Sequence, residues 1–158
     1  MTQHEQNSIS ASDLPERGQP LAGGTFVTRY WLNGAERALI LLPDELSGPW
    51  GEYDQDVADA KSYSDGAANT RAMAEAGSDL ATRVLELDAH IPSHLEGALL
   101  MSAKADDLVT LREDRWHWLS TQYSANHAYT LAFGDGWLSL SGKVYVRLVR
   151  PVRSLPIQ

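Results

Sequence analysis

Residues 25–32 alternate in polarity, with Phe26, Thr28, Tyr30 and Leu32 on one parity, which predicts a half-buried β-strand. Asn33-Gly34 follows as a two-residue hairpin turn, and residues 37–42 return as a more continuously apolar strand that Pro43 ends. Residues 44–65 are acidic and turn-rich, with a short helical turn expected at 57–63 and a long loop otherwise. Over residues 69–87 the period changes. Met73, Ala76, Leu80, Val84 and Leu87 recur at three- and four-residue steps, predicting one helix capped by Asn69 or Thr70. Ser93 with Glu96 three residues on has the capping-box spacing, so a second helix is expected from there to just before Asp106-Asp107. Strands are then expected at 116–121, 128–133, 137–141 and 144–149, with Gly134-Asp135-Gly136 as the tightest turn.

This order of elements predicts an α+β fold in which two helices rest on a twisted antiparallel sheet with long loops. Residues 1–23, polar and holding Pro15, Gly18 and Pro20, are expected to form a flexible arm, and residues 24–158 a single domain. At 158 residues and 43% hydrophobic the chain is long enough to bury a core. The absence of Cys excludes disulfides, thiolate zinc sites and a cysteine nucleophile. The start lacks a basic segment followed by an apolar run, and the longest aliphatic stretch, 38–42, is far too short for a membrane span. The expected location is the cytoplasm of a host cell or a virion, with no membrane partner.

The net charge of −8 is unevenly distributed: residues 1–114 hold 20 Asp/Glu against 8 Lys/Arg, and residues 115–158 hold 1 against 5. Phosphate backbones repel such a chain, which argues against direct nucleic-acid binding. The acidic half either solvates the surface or attracts a basic partner.

The closing segment carries a resemblance. Trp116-His117-Trp118-Leu119-Ser120-Thr121-Gln122-Tyr123-Ser124, Ala128-Tyr129, Phe133-Gly134-Asp135-Gly136 and Arg147-Leu148-Val149-Arg150-Pro151-Val152-Arg153 resemble a phage and prophage domain family of unknown function. That family has a W-x-W-S-S-T-x-Y-S stretch, an F-x-D-G turn and a closing R-x-R-P-V-R strand, and is related to the C-terminal domain of a bacterial collagen-like adhesin. Upstream, Trp50-Gly51-Glu52-Tyr53, residues 68–74 and Ile91-Pro92-Ser93 with Glu96 are similar to its phage-borne branch. Leu119, His94 and Val149 depart from the usual Ser, basic residue and Arg. The resemblance implies a C-type lectin-like fold, in which some relatives bind receptors or variable ligands and one enzymatic branch depends on cysteine.

Chemistry finds little support in the residues. His90 and His94 have helical ligand spacing, but Pro92 lies between them and no third ligand is evident, so no metal is expected. Asp54, Asp56 and Asp59 lack the glycine and terminal Glu of an EF-hand. Ser120, His117 and Asp135 come without a nucleophile elbow, and no phosphate-binding loop or dinucleotide fingerprint occurs. The chain is expected to be neither an enzyme nor a cofactor carrier. Arg147, Arg150 and Arg153 are expected to bond backbone carbonyls or carboxylates, and Trp116 and Trp118 to lie in the core.

The residues expected to bind are His127, Tyr129, Trp137 and Ser139 on the C-terminal sheet, because exposed aromatics supply contact area at low entropy cost. The functional expectation is a phage- or prophage-encoded binding protein that recognises a protein or a glycan, compatible with a homo-oligomer. The alternative is an intracellular inhibitor of a host process, an anti-CRISPR or other anti-defence protein, whose Asp54, Asp56 and Asp59 engage a basic surface.

Overall fold

Asn33 and Gly34 both have positive φ, 52° and 79°, the geometry of the tight hairpin turn that the dipeptide predicts. They join β2 (Gly24–Leu32) to β3 (Ala35–Leu41) in antiparallel register, Leu32 opposite Ala35. In the computed structural model, which describes residues 8–158, these strands form the middle of one of two sheets. The first has the order β1 (Pro20–Leu21), β2, β3, β9 (Val152–Pro156). The second has the order β4 (Leu46–Gly48), β8 (Arg147–Val149), β5 (Trp116–Gln122), β6 (His127–Ala132), β7 (Trp137–Gly142). Its ladders are antiparallel except for β5 and β8, which run parallel at His117 and Leu148.

Three helices complete the α+β architecture: α1 (Gly66–Glu75), α2 (Asp79–Leu85) and α3 (His94–Ala105). The single helix expected over 69–87 is therefore two. Gly77, at φ 99°, ends α1: its amide bonds Ala74 O and the Ser78 amide reaches back to Met73 O, a Schellman ending. Ser78 then caps α2 through its Oγ. Asp65, not Asn69 or Thr70, caps α1. Those two are buried and bond the neighbouring chain instead: Asn69 grips both backbone groups of Ser62, and Thr70 Oγ1 accepts from Ile91 N. The capping box of α3 forms as its spacing predicts.

Residues 8–23, expected in a flexible arm, are docked. Ile9 is buried and bridges Ile157, and Arg17 donates to Val27 O; the arm's first seven residues lie outside the described ones. The helical turn expected at 57–63 reduces to a single bond, Ala60 N to Val57 O. The strand expected at 144–149 begins only at Arg147, and the chain crosses at Pro151 into the first sheet as β9.

Apolar side chains form two clusters. One gathers Phe26, Ile40, Trp50, Met73, Leu80, Val84, Trp118 and Val149, under α1 and α2. The other gathers Val27, Tyr30, Leu39, Leu41, Leu100, Leu119, Leu131, Phe133 and Val152, under α3. Ile40 and Leu39 belong to different clusters, as do Trp118 and Leu119, so β3 and β5 are buried on both faces. No helix of the described residues is long and apolar enough to cross a membrane.

Between the sheets' irregular connections sits Glu96, which has no exposed surface. Its carboxylate accepts from Tyr30 Oη at 2.7 Å, from Ser93 N at 3.0 Å and from His90 Nε2 at 3.0 Å. Burial alone raises its pKa, but His90, Ser93 and Tyr30 outweigh burial and hold the carboxyl below its ordinary range. Tyr30 is pushed up, first by burial and then by the Glu96 charge.

Glu96→Ala strands these donors and should cost on the order of 3–5 kcal/mol in urea unfolding, against a loss of under about 1 kcal/mol for a surface control such as Glu75→Ala. His117, 2% exposed and edge-on to Phe133, is lowered by burial to about 4. The unfolded chain takes up this proton near pH 6.5 and the folded chain only near 4. Stability is therefore full above pH 6.5 and should fall as pH drops towards 4, by on the order of 3 kcal/mol. His94, also lowered by burial, adds in the same direction. Unfolding curves across this range should flatten in His117→Leu.

Candidate binding face

The direct pairings Tyr129–Leu140 and Leu131–Leu138 place these four side chains on one face of β6 and β7. The pairings Ala132–Trp137 and Thr130–Ser139 define the opposite face. The start of α3 covers part of the first face. With Ser93 as N-cap, His94 is the first helical residue, and its amide is tied to Thr121 Oγ1 at 3.0 Å. Its ring stacks on Tyr63 with centroids 4.5 Å apart and meets Tyr129 edge-on at 5.2 Å; Tyr129 in turn meets Tyr123 edge-on at 5.8 Å.

The result is a row, Tyr63–His94–Tyr129–Tyr123, whose middle is half-buried and whose ends are exposed at 55% and 58%. His94 Nδ1 is buried with no hydrogen-bond partner, and burial lowers the ring's pKa, so the neutral ring behaves as an aromatic plate. Beyond His94 the face continues into a depression of about 140 Å³ lined by His94, Ala98, Met101, Leu131, Gly136 and Leu138. Leu138 and Leu140 are exposed beside it, on an edge strand whose sequence, Trp137–Gly142, has no charged residue. Such an edge is open to a partner. The turn leading into β7 is fixed by Gly136 at φ 78° and by Asp135 Oδ1 accepting from Trp137 N.

The residues expected to bind fall into three places. Tyr129 lies at the centre of the row. His127 is half-buried at the start of β6, its backbone oxygen accepting from Tyr123 N and Ser124 N. Trp137, 66% exposed, and Ser139 point to the opposite face, so the four do not form one surface. Asp54, Asp56 and Asp59 lie on an exposed loop. Asp54 sits in a left-handed turn at φ 63°. Asp56 bonds Lys61 and Gln122, with Lys61 holding its carboxyl below the usual range. Tyr63, Tyr123, His94, Leu138 and Leu140 were not expected here. Readable cues were the position of His94 after its cap and the Leu-Ser-Leu parity of β7.

The acidic loop is held against the sheet by Lys143. This side chain has no exposed surface, lies 4.7 Å from the Trp50 ring centroid, and donates to Gln55 O and Gln122 Oε1, both at 2.6 Å. Burial lowers the ammonium to about 8. Gln122 Oε1 also accepts from Val57 N, and Gln55 N bonds Ala125 O in the turn after Tyr123. The loop carrying the aspartates thus borders the Tyr123 end of the aromatic row.

His90 bonds Glu96 and His94 stacks on tyrosine, and no group of three His, Cys, Asp or Glu able to hold a metal occurs among the described residues. The three arginines are structural. Arg150 donates to the carbonyls of Leu42, Asp44 and Thr110, and Arg153 to those of Ala22, Leu87 and Asp88. Arg147 bonds Ser141 and lies over Tyr145. Trp118 is core and donates to Gly48 O, whereas Trp116 is half-buried. Comparison with protein-family models and with curated proteins returns no match.

Lys143→Met removes two of the bonds that hold the loop, those to Gln55 O and Gln122 Oε1. Amide exchange at Val57 should speed up at least about tenfold, the loss expected when a local bond worth more than about 1.4 kcal/mol goes, while α3 amides keep their protection.

Proposed function

We propose that this chain is a non-enzymatic binding protein that recognises another protein through the aromatic row and the β7 edge, with a glycan as the other ligand suited to such a surface. The observation that carries this reading is the row Tyr63–His94–Tyr129–Tyr123, rigid at its centre and exposed at its ends. Aromatic plates already fixed by neighbours lose little entropy on binding. The acidic rim at Asp54 and Asp59 favours a partner with an apolar centre and basic surroundings. The likeness of residues 116–124, 133–136 and 147–153 to a phage and prophage domain family supports a phage origin and a C-type lectin-like fold. The helices set against a sheet with long connections are compatible with that fold.

A second reading is favoured by the loop itself. Asp54 and Asp59 have no ion-pair partner among the described residues, yet their loop is anchored by Lys143 and Gln122, giving a preformed negative surface. This suits an intracellular inhibitor that occupies the basic surface of a host defence complex, as an anti-CRISPR or other anti-defence protein does.

The two readings separate in one experiment, capture of partners from host lysate followed by mass spectrometry. Binding through the row should weaken at least tenfold in Tyr123→Ala with Leu138→Ser, both exposed positions, and survive neutralisation of the rim with only a modest dependence on salt. Binding through the loop should instead be lost on neutralising Asp54, Asp56 and Asp59 to Asn and weaken steeply as salt rises. Capture that survives both sets of changes overturns both readings. Co-purification with phage particles and adsorption to intact cells would assign the face to a virion protein.

A further inference from the structure

Two adjoining depressions, of about 310 and 300 Å³, share Arg37, Ala67, Arg71, His90 and Ser154, and none of the aromatic row lines them. We infer that this groove, between α1 and β9, is a binding site for a small monocarboxylic acid.

Arg37 is prepared for such a ligand. Its Nε donates to Ser154 Oγ at 2.6 Å and one terminal nitrogen to Ser154 O at 2.9 Å, which fixes the plane of the guanidinium. Its other terminal nitrogen has no partner among the described residues, and no carboxylate pairs with it. Arg71, one turn along α1 from Ala67, makes no hydrogen bond or ion pair among the described residues. This contrasts with Arg29, Arg83 and Arg112, each paired with a carboxylate in a chain of net charge −8. The free terminal nitrogen of Arg37 and the unbonded guanidinium of Arg71 line one groove, and such N–H donors are the kind that bind a planar oxyanion.

Charge selects among oxyanions. Arg37, Arg71 and Arg153 line the groove with three carboxylates, Asp65, Asp88 and the buried Glu96, so the groove carries no net excess of charge. Beneath them Glu96 is occupied by Tyr30, Ser93 and His90. With the charges balanced, the carboxylates oppose a dianion such as phosphate more strongly than a monoanion that the free arginine donors can hold. Leu32 and Leu85, at the two ends, suit a short apolar body attached to the carboxylate.

The test is titration of the whole chain with sodium butyrate and sodium benzoate at constant ionic strength, following arginine Nε–H resonances by NMR. Saturable shifts of Arg37 and Arg71 are expected, weakened at least tenfold in Arg71→Ala, an exposed site that leaves the fold intact. Arg37→Lys, which keeps a charge but loses the free terminal nitrogen held in a fixed plane by Ser154, should weaken binding similarly. Tyr123→Ala should leave it unchanged, which keeps the outcome separate from the aromatic face. Shifts that stay linear in concentration, equal binding by Arg71→Ala, or tighter binding of inorganic phosphate would each overturn the assignment.

Discussion

A carboxylate taken wholly out of water persists only where donors surround it, and Glu96 meets that condition with groups from three parts of the chain. Tyr30 comes from β2, His90 from the segment before α3, and the Ser93 amide from the helix cap itself. The same oxygen excludes any side chain at position 66: a Cβ on Gly66 would lie 2.2 Å from Glu96 Oε1. One ion therefore sets the approach of α1, the start of α3 and the first sheet together. The capping box, worth about 1 kcal/mol on a free helix end, here serves as the junction of the fold.

Around this junction the chain relies on side chains to satisfy its irregular backbone. Arg150 and Arg153 flank Pro151, where the chain leaves the second sheet for the first, and their forked donors bind six carbonyls of loops and strand ends. Trp50 and Trp118 do the same with their indole N–H groups, bonding Leu119 O and Gly48 O from inside the core. Unpaired buried carbonyls are costly, so such residues stand in for the missing secondary structure. Trp118, Arg150 and Arg153 of the closing segment are, on this view, scaffold devices.

The sequence made the local elements legible wherever a short-range rule decides them. Asn33-Gly34, the Ser93–Glu96 box and the alternation of β2 all rest on neighbours within a few residues. The helix break at Gly77 was equally local, since a glycine followed by Ser78 is both an ending and a new cap; the apolar period ran across it because α1 and α2 bury the same side. Long-range choices were not legible. That β9 would join β3 and that residues 8–23 would dock depend on partners far along the chain, as does the diversion of Thr70 from capping to Ile91 N. Of the candidate face, Tyr129 and the acidic loop beside it were singled out by residue type. The row itself was not, because its members come from a loop, a helix start and two parts of the sheet.

The position of that row follows from how the cores end. β5 is buried on both faces, β6 partly so, and β7 lies past the reach of either cluster, leaving Trp137 exposed on one side and Leu138 and Leu140 on the other. α3 covers the inner part of the sheet and stops covering it at His94, so the last packed layer is also the first exposed one. Tyr129 and His94 are held in place by that packing, while Tyr63 and Tyr123 extend it into solvent. A surface built this way is ordered before any partner arrives, and its edge strand carries no charge to turn one away. The same packing that stabilises the sheet thus leaves its outer margin suited to association.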